Sequence, residues 1–90
     1  MPLFLIERNF AEDLEVTADD VVGIQAVNDD VGVEWIYSFL SADKRKTYCL
    51  YEADSAELIF EAARRANLPA DAVISVDQLR PQAILDASCE

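Results

Sequence analysis

The stretch LFLIER, residues 3–8, stays apolar for four residues before it meets Glu7 and Arg8. It reads as a strand that is covered on both sides, because a half-wet strand alternates apolar and polar residues. An acid-rich loop, NFAEDLEV, follows. Thr17 then has the character of a helix N-cap, with Asp19 and Asp20 in the first turn where the helix dipole favours them. Val21, Ile24, Val27 and Val31 recur at helical spacing, supported by Val22 and Ala26, and Gly32 is the stop signal. Two strands come next, VEWIYSFLSA and TYCLYEA, separated by DKRK. Ser55 caps a second helix. Its stripe of Ile59, Ala62, Ala63 and Ala66 is small enough to lie close to a sheet. Arg64 and Arg65 suit its last turn, Asn67 the left-handed cap and Leu68 the accompanying contact, and Pro69 prevents continuation. AVISV, residues 72–76, is a fourth strand. After it Pro81 interrupts the chain, and QAILD reads as an edge piece or an ordered tail.

The order strand, helix, strand, strand, helix, strand folds through right-handed crossovers into an α+β ferredoxin-like plait. This is a four-stranded antiparallel sheet with two helices on one face, its first and third strands central. Residues 1–80 form the domain and residues 81–90 a C-terminal tail or edge extension. Two helices hide one face only, yet several strands are apolar in both parities. In WIYSFL, strict alternation sends Trp35, Tyr37 and Phe39 one way and Ile36, Ser38 and Leu40 the other. Tyr48 and Leu50 oppose Cys49 and Tyr51 in the same manner. Exposed apolar faces of this size usually mark an interface. Burying roughly 600–800 Å² per copy contributes on the order of 20 kcal/mol gross, against an association cost of about 4–15. The expectation is a two-fold homodimer packed sheet on sheet. The tail RPQAILDASCE is the rival cover, but it has few large apolar groups.

Composition narrows the picture. The chain has 90 residues, 52% of them hydrophobic and 28% charged, which suits one globular domain. Its longest uncharged runs, VVGIQAVN and WIYSFLSA, are far short of the roughly 20 apolar residues of a membrane span. MPLFLIER lacks the basic start of a signal peptide, so a cytoplasmic location is expected. A net charge of −11 repels phosphate backbones and anionic lipid, which argues against nucleic-acid and membrane partners. Lys44, Arg45 and Lys46 cluster at a hairpin tip, where a solvated turn is the simpler reading than an anion contact. Cys49 and Cys89 are too far apart for a C-x2-C metal pair. Cys49 reads as a small core hydrophobe and Cys89 as exposed and free.

The chain contains no histidine and only two glycines, Gly23 and Gly32. The usual nucleophilic triads and Gly-rich phosphate loops are therefore missing, and no catalytic residue can be named. Glu7 and Arg8 are the only charges that interrupt a central apolar strand. A strand end, a buried ion pair or a ligand contact each accounts for them. Antiparallel pairing of the first and third strands brings Glu7 near Tyr48, with Tyr37 one strand further over. Glu34 and Glu52 flank apolar strands similarly, and all of these suit a hard cation or a polar ligand. Arg8, Trp35, Phe39, Cys49 and Tyr51 are candidates for a pocket or an interface.

Taken together, PLFLIERN, WIYSF, TYCLYEAD and ARRANLPAD, in register over residues 2–77, resemble a family of small bacterial domains of unknown function. The family is often called nickel-binding protein after a member that binds nickel. The resemblance implies a ferredoxin-like fold, a dimer and a divalent cation, nickel in the first instance. Together with the strand pairing that brings Tyr48 to Glu7, it points to Glu7, Tyr37, Tyr48 and Glu61 as the candidate metal set. Family members commonly carry a histidine in the position of Tyr37 and another in the second helix, where this chain has Ala62 after Glu61. Nickel favours imidazole nitrogen, so carboxylates and phenols make a poorer set for it. The expectation is a non-enzymatic, metal-binding or metal-responsive homodimer. The alternatives are a plait dimer that binds a small molecule between sheet and helices, as monooxygenases and isomerases of this fold do, or a pure interaction module.

Overall fold

The computed structural model describes residues 2–88. Strand β1 spans Leu3–Asn9, helix α1 Ala18–Val31, β2 Glu34–Leu40, β3 Lys46–Glu52, α2 Ala56–Arg65, β4 Ala72–Val76 and a third helix, α3, Pro81–Ser88. The four strands form one antiparallel sheet in the order β2-β3-β1-β4, with β1 and β3 in the centre. This is the ferredoxin-like plait.

Local chemistry accounts for the helix ends. Thr17 and Asp20 form a reciprocal capping box: the Asp20 N–H donates to Thr17 Oγ1 and the Thr17 N–H to the Asp20 carboxylate. Gly32 ends α1 at φ 91°, in the left-handed region, and its N–H returns to the Asn28 carbonyl. At the end of α2, Asn67 takes φ 57° while its N–H bonds to the Arg64 carbonyl and the Leu68 N–H to that of Ala63. These two bonds make a Schellman motif, and Pro69 follows it.

The core lies between the sheet and the helices. Phe4, Ile6, Cys49 and Tyr51 of the central strands meet Ile59 and Ala62 of α2, with Val33 and Ala53 at the junctions. The small stripe of α2 is buried as its composition requires. Helix α1 is different: its valines and Ile24 are only partly buried, Val22 is exposed, and Asn28 is its one buried residue.

Two expectations are corrected. Strict alternation does not hold in β2. Trp35 pairs with Tyr51 and Tyr37 with Leu50, so Ile36 is an extra residue, a β-bulge that reverses the parity behind it. Trp35 therefore shares the helix-side face with Ser38 and Leu40, and Tyr37 and Phe39 point the other way. The second correction is the tail. Pro81 opens a helix rather than interrupting one, since Pro suits the first helical position, where its missing N–H has no partner to lose. Residues 81–87 are all exposed, so α3 does not lie across the open side of the sheet. Cys89 lies outside the described residues.

Candidate functional site

The register sorts the sheet into two faces. On the face away from the helices, one row reads Phe39, Tyr48, Glu7, Ala72, and the next Tyr37, Leu50, Leu5, Ile74. A third reads Glu34, Glu52, Leu3, Val76. Among the described residues no element covers this face. Tyr37 is 48% exposed, Phe39 63% and Ile74 52%, and the rings of Tyr37 and Phe39 meet edge to face at 5.5 Å.

Carboxylates stand at both ends of this apolar middle. Glu7 is the cross-strand partner of Tyr48 and accepts from Lys46 Nζ at 3.4 Å. Lys46 in turn lies 5.9 Å from the Tyr48 ring centroid. The Glu7 carboxylate beside it holds the Lys46 ammonium above its ordinary range. At the other end Glu34 and Glu52 face each other directly, and neither forms an ion pair among the described residues. Like charges opposite one another are unfavourable. The fourth residue of the expected metal set, Glu61, is elsewhere. It belongs to α2, beyond the opposite face of the sheet, and is engaged by Arg64, whose guanidinium lowers the Glu61 pKa. The fold thus brings Glu7, Tyr48 and Tyr37 onto one face and leaves Glu61 off it, because β1 and β3 are neighbours and α2 packs behind them.

The other face carries a cavity of about 650 Å³ between the sheet and the first half of α1. Arg8, Thr47, Leu40, Ser38, Cys49, Trp35 and Tyr51 line its sheet side. Gly23, Ile24 and Val27 line its helix side, and Leu14, Val16 and Leu68 its rim. The cavity exists because α1 leans on α2 and β2 rather than on the central strands. Trp35 stacks on Tyr51 with centroids 6.4 Å apart, and its Nε1–H donates to Ser38 Oγ at 2.8 Å. Tyr51 accepts from the Asn28 side chain at 3.4 Å; burial pushes its phenol up from the ordinary 10.0. Arg8 is 3% exposed. Its Nη1 donates to the Pro69 carbonyl, and its guanidinium lies 5.9 Å from the Tyr51 ring centroid. Sequence patterning named Arg8, Trp35, Phe39, Cys49 and Tyr51 as candidates for a pocket or an interface; four of them line this cavity, and Phe39 lies on the opposite face. Thr47, Ser38 and Gly23 went unnoticed, and only the bulge at Ile36, which has no signature in the pattern, would have placed Ser38 beside Trp35.

A family profile described as nickel responsive protein SCO4226-like matches residues 4–76. The chain belongs to this family. Among solved structures, the crystal structure of SCO4226 from Streptomyces coelicolor A3(2) superposes with a TM-score of 0.67 at 21% identity, over 87% of this chain and 99% of that one. At that identity the likeness speaks for the fold. No curated protein matches the chain.

Nickel can be tested against the SCO4226-like fold as this chain builds it. The chain has no histidine, and among the described residues no three of Cys, Asp and Glu gather closely enough to hold a metal ion. The donors of a single copy, among the described residues, do not fit a nickel site, which would draw on imidazole or thiolate. Also among the described residues, no helix is long and apolar enough to cross a membrane.

Proposed function

We propose that this member of the SCO4226-like family is a non-enzymatic, metal-responsive homodimer in which two copies pack sheet on sheet. The observation that carries the reading is the open face: apolar in the middle, with carboxylates at both ends. A face with Phe39 63% exposed is costly to leave in water, and a second copy of the same face is a self-complementary cover under two-fold symmetry. Pairing doubles every donor set at the seam. The opposed Glu34 and Glu52, and Glu7 once released from Lys46, then supply only oxygen. Oxygen donors select a hard divalent cation such as calcium or magnesium over nickel. The cation neutralises carboxylates that otherwise repel across the seam, so metal and assembly reinforce one another.

Titration calorimetry with calcium, magnesium, zinc and nickel tests this. The expected result is saturable heat with calcium or magnesium that disappears in the E34Q/E52Q double variant, with nickel the weaker ligand. Heat that is absent for all four ions, or unchanged in the double variant, overturns the metal half of the proposal.

A further inference from the structure

The cavity on the helix side has a feature that packing does not require: a buried cation with no counter-charge. Arg8 is 3% exposed, and no ion pair among the described residues involves it. Its contacts among the described residues are neutral ones: the Pro69 carbonyl and the ring and hydroxyl of Tyr51. Guanidinium groups withdrawn from water are ordinarily met by an anion. Arg8 lines the cavity, and its cross-strand partner Thr47 lines it too and supplies a hydroxyl. Most of the remaining wall is apolar: Leu14, Val16, Ile24, Val27, Leu40 and Leu68. About 650 Å³ lies within the usual range for small-ligand pockets.

We infer that this cavity binds an apolar monocarboxylic acid, its carboxylate on Arg8 and Thr47 and its hydrocarbon body between α1 and the sheet. A guanidinium fork matches a carboxylate in a bidentate way. The other charges of the lining select the class further. Glu15, Asp19 and Asp20 also line the cavity, so a second negative group on the ligand meets carboxylates, and dicarboxylates and phosphates are disfavoured. Arg65, the other cation of the lining, is already paired with Asp30. The site lies on the opposite side of the sheet from the dimer seam and its Glu34–Glu52 pair, so it stands or falls independently of the metal reading.

Trp35 is the single tryptophan of the chain and lines the cavity, so its fluorescence reports occupancy directly. Titration of the full chain with decanoate should give a saturable change. Decanamide, of the same length and uncharged, should bind about ten- to a hundredfold more weakly, the range for loss of a charge-assisted hydrogen bond. Arg8→Gln should lose the preference for the acid over the amide. Because that variant removes a buried group, Gly23→Leu provides a second arm. Gly23 lines the cavity and a Cβ added there meets nothing within 4 Å, so the leucine side chain is expected to take up ligand space and abolish decanoate binding. Equal affinity for acid and amide, undiminished binding to Gly23→Leu, or no saturable change overturns the inference. Phe39→Glu, on the far face, should bind decanoate as the unaltered chain does.

Discussion

Asn28 and Tyr51 show how much depends on single polar groups in a small core. Asn28 sits on the inner side of α1 and donates to the Tyr51 hydroxyl, which burial holds in its neutral form. Asn28→Ala should destabilise the fold by about 1–3 kcal/mol, because it removes a hydrogen bond from a buried hydroxyl, and chemical denaturation measures this. The sign of the pH effect follows from the raised pKa of Tyr51. Its stabilising contribution is complete below the unfolded value of 10.0 and is lost as pH rises through the higher folded value. Tyr51→Phe should flatten that alkaline loss in the denaturation midpoint. At the hairpin tip the sign is opposite. Asp43 accepts from the Ser41 hydroxyl and the Arg45 N–H, which lower its pKa, so its contribution is complete above the ordinary 3.8 and fades as pH falls through the lower folded value. Neither tyrosine burial nor the Asn28 contact was legible in the sequence. Asn28 stood between Val27 and Val31 as a polar residue that the helical stripe did not need.

The secondary elements were legible because their ends are chemically marked. Thr17, Gly32, Asn67 and Pro69 act on the backbone locally, and the elements they bound appear where they point. Gly32→Ala should therefore destabilise by about 1–2 kcal/mol, the penalty for a Cβ in the left-handed region, measurable as a lower thermal midpoint. What failed at this scale depends on partners rather than on local pattern. The extra residue at Ile36 is visible only against β3, and without it Trp35 was grouped with Tyr37 and Phe39 rather than with Ser38 and Leu40. Helix α3 was missed because Pro81 was read as a breaker when it can equally be a first helical residue. Exposed over residues 81–87, α3 adds little to the fold of a single copy. In a monomeric Phe39→Glu background, truncation after Gln78 should shift stability by no more than about 0.5 kcal/mol, as surface changes do.

Across the whole molecule, the two faces of one sheet differ in chemistry. The open face is apolar with carboxylates at its ends, and the helix side holds a cavity with a buried guanidinium. The apolar excess was readable from strands that lack alternation. Which parity faced the helices was not, because that depends on register. Each copy carries −11, so association works against like-charge repulsion and should tighten as salt shortens the screening length to below about 10 Å. Sedimentation velocity at low micromolar concentration and moderate salt decides whether the open faces pair. A single boundary with the mass of two chains is expected, reduced to one chain by Phe39→Glu. A boundary with the mass of one chain for the unaltered protein would contradict that pairing.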